Sequence, residues 1–204
     1  MARIEQQGRE GMAGAARRTI QSSAHERPGD PTRAFGAMPY AIREVLKGEH
    51  AIAVGSRTRM TATLGSCIAV MLNDPCRAVG GLTHIFRCVE PGPFGGAAVM
   101  AEIETLINAF MSRGYARHDL IARVTGGARM LGRGKDHGCA IAEVCLDYLR
   151  AERIEIVHVD TGGTSARRIT FDPGTGALVT AYPMGPVVRK TPCPKPTVRS
   201  EFFL

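Results

Sequence analysis

Apolar and polar positions along the chain mostly alternate over short stretches, and only two long stretches carry a helical rhythm. Residues 97–113 place Ile103, Leu106, Ile107 and Phe110 at i, i+3, i+4 and i+7, with Gly114 positioned to end the run, which predicts an amphipathic helix. A second helix is predicted from about 139 to 151, with Ile141, Val144, Cys145, Tyr148 and Leu149 on one face. Pro39 to Lys47, with Pro at its start and Gly48 just past its end, predicts a third and shorter one. The other patterned stretches read as extended: 50–54, 60–64, 67–73, 82–86, 120–124, 154–159, 167–171 and 177–181. The run 67–73 has the look of a buried strand and closes at Asp74-Pro75, while Gly80-Gly81 predicts a turn ahead of 82–86. The last two strands are predicted to form a hairpin around Asp172 to Gly176. Many strands and two long amphipathic helices predict a layered α+β fold, sheet on sheet or sheet under helices, without internal repeats.

The pattern also divides the chain. Residues 1–37, rich in Arg, Gly, Ala, Gln and Ser, hold no sustained period and read as a flexible basic lead. A single domain is expected over 38–184, followed by a Pro-rich basic tail over 185–204. Charge sharpens this division. The net charge of +7 invites a nucleic-acid or membrane-surface reading, but residues 1–35 carry 6 Arg against 4 acids and residues 185–204 carry 4 basic residues against Glu201. The stretch between the ends holds 16 basic and 14 acidic residues, and the chain has no Trp, so nucleic acid is not an expected partner. Cys67 to Leu72, the longest strongly apolar run, is far too short to span a bilayer, so no membrane insertion is expected. No apolar signal core follows Met1, and a cytoplasmic protein with free thiols is the expectation.

Among candidate sites the sharpest is Thr61-Ala62-Thr63-Leu64-Gly65-Ser66-Cys67. Gly65 and Ser66 form turns readily, and Cys67 stands where a turn enters an apolar strand. A sulfur there can face a cleft with neighbouring backbone N–H groups aimed into the same space, as a nucleophile that makes an oxyanion requires. His84 lies on the next extended segment, and a hairpin would bring imidazole to thiol. The plainer alternative is a buried cysteine and a hydrogen-bonded core histidine. Cys67, Cys76, His84 and Cys88 lack the tight Cys-x2-Cys knuckle of a structural zinc site, so no metal is expected. Cys145 reads as core. The run Gly126 to Lys135 fails the phosphate-loop pattern because Arg133 follows Gly132, and it reads first as a connector. Asp160 to Gly163 reads as a turn, and His158 as a satisfied core histidine.

Taken together, Thr-x-x-Leu-Gly-Ser-Cys, a strand, Asp-Pro, Gly-Gly and a His seventeen residues past the Cys resemble CheD, the chemoreceptor glutamine deamidase family. The resemblance continues through Arg123 to Ala128, Gly138 ahead of a helix, Asp160 to Gly163 and Arg167 to Phe171, and covers about residues 50–183. It implies a cytoplasmic bacterial enzyme that hydrolyses glutamine side chains of chemoreceptors to glutamate with release of ammonia, in chemotaxis adaptation. The implied fold is a β-sandwich with helices packed outside, like the deamidating toxin domains. The implied catalytic residues are Cys67, His84 and Thr61, with backbone support for an oxyanion at Gly65 and Ser66, and no cofactor. The implied partners are chemoreceptor cytoplasmic domains and a CheC-type phosphatase; a CheD-like adaptor without turnover is the alternative. The chain departs from the family pattern at His84-Ile85-Phe86-Arg87-Cys88, at the lead Phe94 to Val99, at Ile141 where Asn is common, and at Ala166 where Gly is common. These departures leave the three implied catalytic residues in place.

Overall fold

A computed structural model describes residues 39–130 and 136–182. The basic lead over 1–37, Cys193 and the tail over 185–204 lie outside the described residues, as do positions 131–135 of the glycine-rich run. The order of elements is β1 (Ala41–Glu44), β2 (His50–Val54), β3 (Thr58–Leu64), β4 (Ile68–Asp74), β5 (Val79–Ile85), α1 (Ala97–Met111), β6 (Ile121–Gly126), α2 (His137–Ala151), β7 (Glu155–Thr161), β8 (Arg167–Phe171) and β9 (Leu178–Ala181). They build two sheets, β1-β3-β8-β9 and β2-β5-β4-β6-β7. Both are mixed: β1 runs parallel to β3 and β6 parallel to β7, and the remaining pairs are antiparallel.

Strand β4 explains the layering. Successive side chains of a strand point to opposite faces. Ile68, Val70 and Leu72 enter one core with Ile103, Leu106, Ile107 and Phe110 of α1 and Ile141, Cys145 and Leu149 of α2. Ala69 and Met71 enter a second core with Met60, Ala62, Leu64, Ile169 and Phe171 of the other sheet, and Cys67, just ahead of the strand, belongs to that core too. The five-stranded sheet is therefore a middle layer, with helices on one face and the four-stranded sheet on the other, and β4 is apolar through most of its length because both faces are covered. This is the expected α+β layered architecture.

Three local expectations give way to tertiary structure. Residues 41–44 form β1 and not a helix, because they pair in register with Thr58 to Thr61 and complete the edge of the four-stranded sheet. Gly80 and Gly81 lie inside β5, and the chain reverses earlier, at residues 75–78. The glycines are needed for close approach: a Cβ on Gly80 would stand 2.7 Å from the Pro173 backbone, and one on Gly81 2.8 Å from the Ala51 carbonyl oxygen. His158 is exposed on β7, a strand at the edge of its sheet, rather than buried as a core histidine. The hairpin of β8 and β9 forms as expected, with Phe171 opposite Leu178. Its turn is held by Asp172, whose Oδ1 accepts from Ser56 Oγ at 2.8 Å, Gly174 N at 2.9 Å and Thr175 N at 3.2 Å.

Candidate active site

Strands β4 and β5 form the antiparallel pair that the sequence suggested, with Ala69 opposite His84 and Ile68 opposite Ile85. Residues directly opposite share a face, so His84 points into the space between the two sheets with Ala69. Cys67, two residues before Ala69, is its diagonal neighbour on that face, within the reach of an aromatic side chain. Both groups are almost fully buried, Cys67 at 5% exposure and His84 at 3%.

The imidazole is fixed from the turn that joins β1 to β2. Its Nδ1 lies 3.0 Å from the Val45 carbonyl oxygen. A carbonyl can only accept, so Nδ1 carries the proton and Nε2 is left as the basic nitrogen. Nε2 is buried and has no hydrogen-bond partner among the described residues. The same turn grips the His84 backbone on both sides: Gly48 N donates to His84 O at 2.8 Å, and His84 N donates to Glu49 O at 3.0 Å. Gly48 takes φ of +78°, and a Cβ there would press on the Phe86 ring at 3.2 Å, so this turn needs glycine.

Thr61 enters through its backbone. Along β3, Met60, Ala62 and Leu64 fill the core between the sheets, so Thr61 points to the opposite face of its sheet. Its carbonyl accepts Val45 N–H at 2.8 Å, and Val45 in turn accepts from His84. The Thr61 hydroxyl is buried and has no hydrogen-bond partner among the described residues. Val45 was invisible to sequence reasoning, since any residue supplies a carbonyl.

The glycine motifs converge on the back of the Cys67 turn. Ala128 N donates to Gly65 O at 2.8 Å and Gly127 N to Cys67 O at 2.7 Å, which pins both ends of Gly65-Ser66-Cys67. Gly126 has φ of +121°, and a Cβ on it would fall 2.2 Å from Cys67 O. Gly138 packs against Gly127 just as closely, with a Cβ placed 2.5 Å from Gly127 O. Gly162 N bonds to Gly126 O at 2.9 Å, and Arg129 N to Gly163 O at 2.8 Å. That last turn is tied down by the buried Arg167, whose guanidinium donates to the carbonyls of Asp160 and Gly162 and lies 3.3 Å from the Asp160 carboxylate. The segment after β6 is thus more than a connector, because it supports the Cys67 turn.

Burial sets the resting protonation of the pair. It pushes the Cys67 thiol above its ordinary 9.0, and Lys47 offsets part of that rise. It lowers His84 below 6.5; the Val45 bond and Glu102 oppose the shift, while Lys47 adds to it. A neutral thiol beside a neutral imidazole is the resting state near pH 7. Cys76 and Cys88 are exposed free thiols, and Cys145 is a buried free thiol in the helix-side core. Among the described residues no group of three or more His, Cys, Asp or Glu is arranged to hold a metal ion. No described helix is long and apolar enough to cross a membrane.

The class so defined is a layered α+β protein with a buried thiol just ahead of β4 and a buried imidazole on β5, both on the face between the two sheets. Comparison with known proteins places it further. The family model described as CheD chemotactic sensory transduction matches residues 90–181. A protein of Caulobacter vibrioides (strain NA1000 / CB15N), named "Probable chemoreceptor glutamine deamidase CheD", is 37% identical over 180 residues, covering 84% of this chain and 93% of its own. A protein of Caulobacter sp. (strain K31) with the same name is 37% identical over 166 residues, covering 76% of this chain and 88% of its own. This chain belongs to the CheD family. Among solved structures, Neisseria meningitidis protein NMB0706 aligns with a TM-score of 0.43 and 12% identity over 69% of this chain and 74% of its own.

Proposed function

We propose that the protein is a protein-glutamine deamidase that hydrolyses glutamine side chains of chemoreceptor cytoplasmic domains to glutamate, with Cys67 as nucleophile and His84 as acid and base. The observation that carries this reading is the Cys67–His84 placement. A buried thiol stands on a pinned turn, diagonally across the strand pair from an imidazole whose Nδ1 is held by Val45 and whose Nε2 has no hydrogen-bond partner among the described residues. The relatives' name supplies the substrate class.

His84 Nε2 takes the thiol proton as Cys67 Sγ attacks the carboxamide carbon. The negative charge that develops on the carboxamide oxygen is held by backbone N–H groups at Gly65, Ser66 and Cys67, a turn whose end carbonyls are already committed to Ala128 and Gly127. Protonated His84 gives its proton to the nitrogen, ammonia leaves, and a thioester joins substrate to Cys67. His84 then deprotonates a water that attacks the thioester, and the thiol is released with a glutamate side chain. The balance is glutamine plus water to glutamate plus ammonia, and these steps draw on side chains and backbone groups of this chain alone. Thr61 contributes by holding Val45 in place. Such an enzyme works in the cytoplasm, where receptor signalling domains lie, and adds one negative charge per event.

The test is ammonia release from a purified receptor cytoplasmic domain. Wild-type protein should release ammonia in step with glutamate formation, and Cys67→Ala should release none. Equal release by Cys67→Ala would overturn the assignment. Receptor binding without turnover, retained in Cys67→Ala and His84→Ala, would mark an adaptor instead. A CheC-type phosphatase as partner follows from the family resemblance and is tested by co-purification with this protein.

A further inference from the structure

The edge strands β1 and β2 close one end of each sheet, and both line one cavity of about 330 Å3 together with the end of α1. Small residues make the room. Ala51 of β2 is opposite Leu82, a residue of the core between the sheets, so Ala51 and Ala53 stand on the face toward the other sheet. They are only partly buried there, and Ala109 of α1 adds a third small wall. Such inner positions at the side of a sandwich usually carry larger apolar side chains; three alanines leave the space open.

Charge of one sign enters that space from three elements. Arg43 of β1 pairs in register with Met60, which is fully buried between the sheets, and residues paired across a ladder share a face, so Arg43 is on the inner face too. Its guanidinium makes no hydrogen bond or ion pair with a described residue. Glu44, the next residue, belongs to the opposite face with its partner Thr61. Arg113 follows Ala109 by one helical turn and donates one N–H to the Ala109 carbonyl, while its other N–H groups have no partner among the described residues. His50 of β2 and the Thr58 hydroxyl complete the polar lining. Among the described residues no acidic side chain lines the cavity. The carboxylate of Glu49, beside His50 in the chain, accepts Leu46 N–H at 3.2 Å.

We propose that this cavity is a binding site for a small phosphorylated metabolite, whose phosphate is held by Arg43 and Arg113 with His50 and Thr58, and whose carbon portion lies against Ala51 and Ala53. A guanidinium presents paired N–H donors that match two oxygens of one phosphate, and two guanidiniums favour a dianion over a monoanion. The volume is at the lower end for small-molecule sites and exceeds what a bare phosphate fills, so the alanine walls are left for an organic portion. Neither Cys67 nor His84 lines the cavity. The site is therefore separate from the thiol and imidazole, and it does not depend on the deamidase reading.

The test is an NMR titration of the full chain with ribose 5-phosphate, orthophosphate and acetate, each at the same ionic strength so that screening is constant. Ribose 5-phosphate should give saturable shifts below about 10 mM, centred on the amides of Ala51, Ile52 and Ala53 and the ring of His50. Orthophosphate should shift the same signals more weakly, and acetate should leave them in place. Arg43→Gln and Arg113→Gln should each weaken ribose 5-phosphate binding about tenfold or more, while Arg150→Gln, on the exposed side of α2, should bind as wild type does. Circular dichroism confirms that the variants are folded. Shifts that do not saturate, that centre elsewhere, that acetate reproduces, or that Arg150→Gln weakens as much as Arg43→Gln overturn the proposal. An inward charge on an edge strand can also serve only to keep that edge from pairing with another chain. In that case Arg43→Gln would self-associate in sedimentation while wild-type protein ignored both phosphates, and this outcome too overturns the proposal.

Discussion

Gly126→Ala perturbs the support of the nucleophile without touching a reacting group. The added Cβ would lie 2.2 Å from Cys67 O, about 1 Å inside contact distance, and Gly126 sits at φ +121°, a backbone conformation unfavourable for alanine. The obstruction is backbone, so relief requires moving the Gly65-Ser66-Cys67 turn or the end of β6. A displacement of about 1 Å at a reacting group costs on the order of 100-fold in rate, and strain plus displacement should destabilise the fold by about 3 kcal/mol. Gly55→Ala is the control. It has φ of +69°, and an added methyl would meet nothing within 4 Å, so it carries the backbone strain alone, about 1 kcal/mol or about 3 °C in Tm. The assay is kcat/KM for glutamine hydrolysis alongside thermal unfolding of each variant. Gly126→Ala should lose on the order of 100-fold in kcat/KM while still folded at the assay temperature, and Gly55→Ala should lose almost none. A folded Gly126→Ala protein within about twofold of wild type would refute the idea that this contact positions Cys67.

Two further outcomes follow from the same geometry. Burial holds His84 below 6.5, so the general base is neutral above that range, and kcat/KM should fall as pH drops through a midpoint below 6.5. Folding stability should also decline there, because the unfolded chain takes up the proton first as pH falls below 6.5. A limb centred above 6.5 would contradict the buried-base assignment. Asp172, nearly fully buried, gathers Ser56, Gly174 and Thr175 and has Arg59 at 4.0 Å, so Asp172→Ala should cost about 3 kcal/mol, or about 10 °C in Tm. A loss below about 1 kcal/mol by denaturant unfolding would show that the turn is held by other contacts.

The layered fold was legible because burial leaves a period in the sequence. Residues 97–113 could bury one face only as a helix, and the unbroken apolar run of β4 announced a strand covered on both sides. The errors lie where pairing or close approach decided the outcome. Ala41 to Glu44 carry no strand signal of their own and take that form from register with Thr58 to Thr61. Gly80 and Gly81 read as a turn because the sequence does not show that Pro173 and Ala51 press against them. At the site, the pairing of the segments that carry Cys67 and His84 was legible because a turn, a strand and a second strand predicted a hairpin, while their proposed roles came only from the family resemblance. The glycine motifs, weak singly, gained meaning only when folding stacked Gly126, Gly127, Gly138 and Gly162 behind the Cys67 turn. Val45 acts through a carbonyl common to all residues, from a turn that the sequence had suggested was helical.

The central claim is that Cys67 and His84 convert glutamine side chains to glutamate. The most direct measurement is peptide mapping by mass spectrometry of a chemoreceptor cytoplasmic domain after incubation with the protein. Cys67→Ala and His84→Ala proteins serve as parallel controls. The account predicts amide-to-acid mass shifts at discrete glutamines with wild-type protein and none with either variant. Shifts of equal extent with Cys67→Ala, or unmodified receptor under conditions where wild-type protein binds it, would contradict the account.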